Sequence, residues 1–348
     1  MTTTPSDWEF LRTFTFGVYR FHLRFRDPVS LPAFKGSALR GVFGEQLKSV
    51  ACRLPLASCD LCPLRSECAN LFLFATRVRP EHPEGGKSAD FPRPYLFRTP
   101  FRTRRSFKPG ESLTFDMVLI GVANNFLPHI ISAFQEAGDV GIGQRMDALY
   151  DSGIGHAVRD GGGEVGKTRG RFRVTRVDAL RENGAAQPVF DGRTLSAHDH
   201  LISFDRFAEH VPGRRRVTLR LETPLWLKVD GKPLRTAPPF SMVIRNLAGR
   251  AMRLNQFCGG SHTEEYHQLA DRADEIRLVD SSLTWEEIPR NSRRSGRVNL
   301  VGAVGTLTYE GDLAPYWPLL RLGEYINLGK ETVFGCGRYR LVPDADKT

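Results

Sequence analysis

Apolar and charged residues alternate across 13–26. Tyr19, Phe21, Leu23 and Phe25 fall on one side, and Arg20, His22, Arg24 and Arg26 on the other. A period of two predicts a strand buried on one face, here with a basic ladder on its open face. Beyond Pro28 and Pro32 the period lengthens: Leu39, Val42, Phe43 and Leu47 recur at helical spacing, with Ser37 as the expected N-cap. A strand near 95–101, a turn at Lys108-Pro109-Gly110, a strand over 112–121, a helix near 128–136 and a strand over 171–177 complete this half. Residues 181–213 read as a polar connector. The order then returns: strand RVTLRLETPLWLKV, helix FSMVIRNLAGRAMRLNQF, paired strands around 275–287 and 297–310, helix LAPYWPLLRLG and strand RYRLV. Strand, helix, strand, strand, helix, strand is the ferredoxin-like unit. The expected fold is therefore α+β, two tandem ferredoxin-like (RRM-like) domains. The first spans 1–180 and carries a four-cysteine insertion at 52–68; the second spans 214–348.

Composition narrows the function classes. The 348 residues are 41% hydrophobic and 25% charged, and no apolar run approaches the ~20 residues of a membrane span. MTTTPSDWEF has no basic stretch followed by an apolar core, the pattern of a secretory signal, so a cytoplasmic location without membrane partners is expected. The 49 Lys and Arg exceed the 39 Asp and Glu, for a net charge of +10. Such a field attracts polyanions, with nucleic acid foremost. Cys52, Cys59, Cys62 and Cys68 are separated by six, two and five residues. Four thiolates complete a tetrahedral set, which points to structural zinc, with an iron–sulfur cluster as the alternative.

Two glycine-lysine stretches compete for a phosphate. GGGEVGKT at 161–168 spells a nucleotide-binding loop. That loop must leave a buried strand and enter a helix, whereas YDSGIGHAVRD before it is not a strand and RGRFRVTRV after it is not a helix. No nucleotide cofactor is expected. Gly329, Lys330, Thr332, Gly335 and Gly337 instead lie between the last helix and the last strand of the second domain. There glycines let the backbone approach a phosphodiester chain and the lysine supplies charge.

LRLGEYINLGKETVFGCGRYRL resembles the C-terminal glycine-rich signature of the CRISPR-associated endoribonucleases of the RAMP superfamily, which process precursor guide RNA. LPAFKGSALRGVFGEQL, the cysteine cluster and WEEIPRNSRRSGRVNLVGAVGTLTYEGDL extend the resemblance in the same order. It implies tandem ferredoxin-like domains and binding of the CRISPR repeat RNA hairpin. It also implies cleavage without a catalytic metal, leaving a 2′,3′-cyclic phosphate, and retention beside other CRISPR effector subunits.

Arg290, Arg293, Arg294 and Arg297 would sit on the turn of a protruding hairpin, suited to a stem's phosphates. The family's arginine-serine-arginine element is matched by Arg290, Ser292 and Arg294, while Ser295 stands where glutamine is common. Arg102, Arg104, Arg105 and Lys108, interleaved with Phe101 and Phe107, form a second basic run.

Metal-free transesterification needs a base for the 2′-hydroxyl, cations for the phosphorane and a proton for the 5′-oxygen. The family's histidine in the first loop or helix has no counterpart in 27–50, and Asn327 stands where the glycine signature often has another. His22 is then the expected proton-transfer group, with Lys35 and Arg40 stabilising the phosphorane. The alternative is the same fold holding a guide RNA without cutting it, as a catalytically inactive RAMP subunit.

Overall fold

The structure is a computed structural model that describes residues 8–54, 59, 61–76, 91–146, 168–196, 200–209, 213–260, 266–292 and 296–342. The first half runs β1 (Thr15–Phe25), α1 (Gly36–Ala51), β2 (Tyr95–Arg98), β3 (Ser112–Ile120), α2 (Leu127–Val140) and β4 (Phe172–Leu180). Its sheet is ordered β2-β3-β1-β4, with all neighbours antiparallel. The second half repeats the plan with β5 (Arg216–Leu225), α3 (Phe240–Phe257), β6 (Arg277–Ser292), β7 (Gly296–Glu310), α4 (Trp317–Ile326) and β8 (Tyr339–Val342), ordered β6-β7-β5-β8. Both halves are ferredoxin-like.

Alternation along β1 works as its pattern predicts. Tyr19, Phe21, Leu23 and Phe25 join α1 and α2 in one core, where the Phe43 and Phe134 rings stack at 5.5 Å. The opposite face is zoned. Phe16, Val18, Leu96, Val118 and Leu180 pack into the second half's core with Leu247, Leu307 and Ile326, so the halves share one apolar cluster. Farther along the same face lie Arg20, His22 and Arg24. Burying this much apolar surface between the halves fixes their relative position.

Three local readings change. Lys35, not Ser37, takes the N-cap of α1, and no side chain caps it; Ser37 lies inside the first turn. The stretch read as a polar connector is partly structured: Ala186–Phe190 pairs with β4 and Ile202–Ser203 with β1. Its apolar residues Val189, Phe190, Phe204 and Phe207 are buried, which outweighs the polar average of the segment. The GGGEVGKT stretch lies outside the described residues up to 167; the chain continues from there as strand, Thr168–Gly170 and then β4, where a phosphate loop needs a helix. Among the described residues no helix is long and apolar enough to cross a membrane.

Candidate nucleic-acid interface

The glycine-rich loop is held from three sides. Arg250, at the inner face of α3, donates from Nε to the Ile326 carbonyl at 2.8 Å, closing the end of α4. Asn327, fully buried, turns the chain at φ 61° and donates from Nδ2 to the Cys336 carbonyl at 3.0 Å. The buried Thr223 hydroxyl donates to the Gly335 carbonyl at 2.7 Å and accepts from the Arg338 amide at 2.8 Å. The residue at the family's histidine position is therefore a loop brace.

The glycines serve close approach to protein. Gly335, at φ 93°, brings the loop against the Phe97 carbonyl of β2, which would lie 2.6 Å from a β-carbon there. Gly337 lies against Leu328 and Gly329 against Trp226, each with positive φ. Thr332, Gly335 and Gly337 are buried, while Lys330 is exposed and its amide donates to the Trp226 carbonyl at 2.8 Å. Lys228 lies 4.9 Å from the Trp226 ring. Of the predicted loop contacts, Lys330 alone presents a charged side chain to solvent.

Across the domain seam the loop meets the start of α1. Phe34, Phe334, Cys336 and Ile288 form a small apolar cluster there, with Phe101 and Trp226 partly buried against it. Lys35 is only 1% exposed. Its Nζ donates to the Thr103 hydroxyl and reaches the Ala33 carbonyl at 3.5 Å. Burial, with the Arg104 and Arg105 charges nearby, pulls its pKa from 10.5 down to about 8. The N-terminal end of a helix is also the unfavourable end for a cation and the favourable end for an anion. Arg40 stacks between Phe74 at 4.7 Å and Phe334 at 5.1 Å, so it joins α1 to the loop.

An exposed basic rim surrounds this point. Arg102 pairs with Glu286 of β6 across the seam, Arg104 lies 4.3 Å over Phe107 and 2.9 Å from Glu111, and Arg105 and Lys108 are exposed. The hairpin of β6 and β7 rises from the same place. Pairing with β5 ends at Ala303, so beyond it, among the described residues, the two strands pair only with each other, out to Ser292 and Gly296. Arg290 and Arg297 lie on this ladder, opposite Val298 and Asn291. Arg293 and Arg294 fall outside the described residues.

His22 lies elsewhere. It sits on the opposite face of the first sheet from α1, with Nε2 at 2.9 Å from the buried Asp178 carboxylate, which also accepts from Arg176 at 2.5 Å. Arg20 and Asp116 form a bidentate pair beside it, at 2.7 and 3.0 Å. The sheet separates His22 from Lys35 and Arg40, so these three residues do not form one site.

The cysteines are not gathered either. Cys59 is exposed and Cys52, Cys62 and Cys68 are partly buried. All four are described, and among the described residues no three Cys, His, Asp or Glu come together as a metal group. Zinc is thus not supported by their placement. Leu61 and Leu64 beside them are exposed, at 83% and 45%.

Residues 14–202, more than half of the chain, match the AF_1859_N N-terminal domain family, and residues 219–339 match the CRISPR-associated endoribonuclease Cas6 family. The chain belongs to the Cas6 family. That family's work, processing CRISPR repeat RNA with an endoribonuclease, is the function class of this chain. Among solved structures, a Cas6 product complex is 14% identical with a TM-score of 0.53, over 94% of this chain and 99% of that one. Thermus thermophilus Cas6 is 12% identical with a TM-score of 0.52, over 94% and 99%. A Cas6-RT-Cas1–Cas2 complex matches at 12% identity and a TM-score of 0.51, over 96% of this chain and 29% of that one. At such identities the likeness is one of fold. No curated protein matches the sequence.

Proposed function

We propose that this Cas6-family chain cuts CRISPR repeat RNA without a metal, by attack of a 2′-hydroxyl that leaves a 2′,3′-cyclic phosphate and a free 5′-hydroxyl. The observation that carries this reading is Lys35: a buried lysine at the start of α1, braced against the glycine-rich loop, with its pKa lowered to about 8. An amine that is partly neutral near physiological pH can accept the 2′-hydroxyl proton. The 2′-oxygen then bonds to phosphorus, the bond to the 5′-oxygen breaks, and that oxygen takes a proton from Lys35 or from water. Arg104, Arg105 and the helix N-terminus meet the charge gathering on the phosphorane. Lys330 and the arginines of the β6–β7 hairpin follow the flanking phosphates. Arg40 acts by positioning the loop against α1.

A second reading is favoured by the same residue. The Lys35 amine is covered and already donates to Thr103, and neither Asn327 nor residues 27–50 supply the family's histidine. The chain would then hold the repeat RNA without cutting it. In either case we take its partners to be the repeat hairpin and other CRISPR proteins in the cytoplasm, as the Cas6-RT-Cas1–Cas2 complex suggests for a protein of this fold. Zinc remains part of the proposal on thiol chemistry alone, since a metal can itself draw four cysteines together. One zinc per chain, lost in a Cys59→Ser, Cys62→Ser variant, is the expected analysis; a metal-free protein removes it.

The deciding experiment incubates the protein in EDTA with end-labelled RNA carrying its repeat, beside Lys35→Ala. One cut with a cyclic phosphate end, absent in a variant that still binds, is expected. Tight binding without a cut would establish the second reading, and no binding would remove both.

A further inference from the structure

Away from the glycine-rich loop, the end of β4, the linking segment and α4 border a partly open cavity of about 540 Å³. That volume is within the range of small-molecule sites, roughly 300–1,000 Å³. Three guanidinium groups converge on it, Arg181, Arg206 and Arg321, against one carboxylate, Glu182. Glu324, paired with Arg321, adds a second carboxylate, so three positive charges less two negative leave a net +1. An adjoining space of about 280 Å³ shares Glu182, Arg206 and Arg321 and adds Glu209.

The cations differ in how they are held. Arg321 is fixed by Glu324 at 2.5 Å, reaches Glu182 at 3.9 Å and lies 5.8 Å from the Phe207 ring. Arg181 donates to Gln187 at 3.2 Å. Arg206 is exposed on the one-turn helix Asp205–Ala208 and has no ion-pair or hydrogen-bond partner among the described residues. A fixed guanidinium beside an unengaged one is a fork suited to the oxygens of a phosphate.

The remaining wall mixes polar and apolar groups: Asn183, His200, Leu201 and the buried Ile202. Leu201 is 44% exposed at the rim. The His200 ring is held edge-on to Tyr19, with Nε2 at 2.5 Å from the phenol oxygen. The Asn183 Oδ1 accepts from the Ala185 amide at 3.0 Å, and its Nδ2 adds a donor of the kind that reads a base edge. A bare phosphate would use the arginines and leave this wall unused.

We infer that the cavity binds a nucleotide unit, its phosphate on Arg206 and Arg321 and its base against His200 and Leu201. The unit is either a free nucleotide or one residue of an RNA strand. The inference is independent of the cleavage reading, because none of the lining residues belongs to the glycine-rich loop, the start of α1 or the β6–β7 hairpin.

Calorimetric titration of the full chain with adenosine 5′-monophosphate, and separately with single-stranded hexauridylate, tests it. The dissociation constant is expected to rise about tenfold or more in Arg206→Ala and in Leu201→Asp, with the melting temperature unchanged in these surface variants. Binding of the monophosphate identifies a free-nucleotide site, and binding of hexauridylate alone identifies an RNA strand. The inference is overturned if neither probe binds, if Arg206→Ala binds as wild type does, or if inorganic phosphate binds as tightly as the monophosphate.

Discussion

The Phe334 carbonyl oxygen occupies the place where residue 36 would carry a β-carbon: an ideal Cβ on Gly36 would lie 1.8 Å from it. Gly36 opens α1 and Phe334 lies in the glycine-rich loop, so this contact sets how closely the two halves approach at the proposed RNA site. Gly36→Ala is expected to push the loop away and destabilise the protein by about 1–3 kcal/mol, with weaker RNA binding. Gly41 of the same helix has nothing within 4 Å of its ideal Cβ. Gly41→Ala should be neutral or stabilising by about 0.5–1 kcal/mol. Melting curves and RNA titrations of the pair check this, and equal effects of the two substitutions would refute it.

Lys35 links stability to pH in a direction that can be worked out. Its folded pKa of about 8 lies below the ordinary 10.5. Between these values the unfolded chain holds the proton more often than the folded one, so its contribution to stability rises with pH across that window. Below pH 8 the buried charge carries its full penalty, on the order of 3 kcal/mol. Lys35→Met should thus melt no lower than wild type at pH 7, with the difference shrinking toward pH 10. The same group predicts a cleavage rate that climbs through about pH 8. A wild type that is the more stable at pH 7 by a margin independent of pH would remove the perturbed lysine.

Thr223 tests the brace behind the loop. Its hydroxyl is buried and joins the Gly335 carbonyl to the Arg338 amide. Thr223→Val keeps the shape and strands both backbone groups, which costs about 1–3 kcal/mol. Native-state hydrogen exchange should show faster exchange at the Arg338 amide in particular. An unchanged rate there would mean that the hydroxyl does not hold the loop.

Local periodicity made much of this molecule legible. The alternation from Tyr19 to Phe25 and the apolar spacing from Leu39 to Leu47 mark faces that pack as read, because each face is set by residues within one element. What was not legible depends on partners distant in sequence. His22 was readable as an open-face residue, yet nothing near it announces Asp178 or the sheet that separates it from Lys35. The glycines of the last loop read as room for RNA, whereas Gly335 makes room for the Phe97 carbonyl. The charge of Lys35 is readable in the sequence; its burial beside Thr103 is a tertiary fact. Phe204 and Phe207 were hidden by polar neighbours, a case where two buried rings outweigh the average of a segment.

Salt dependence separates the exposed cations from the buried glycines. A cation that neutralises a phosphate releases a counterion, so each such contact adds close to one unit to the slope of log affinity against log salt. Lys330, Arg104 and Arg105 are exposed around the seam. Each alanine variant should weaken RNA binding and flatten the slope by about 0.7–1. Arg104 also pairs with Glu111 at 2.9 Å, an exposed pair contributing little to folding, so its variant should melt as wild type does. Thr332 and Gly335 are buried, and substitutions there should lower stability while leaving the slope unaltered. A slope that stays the same in all three cation variants would place the RNA somewhere other than this seam.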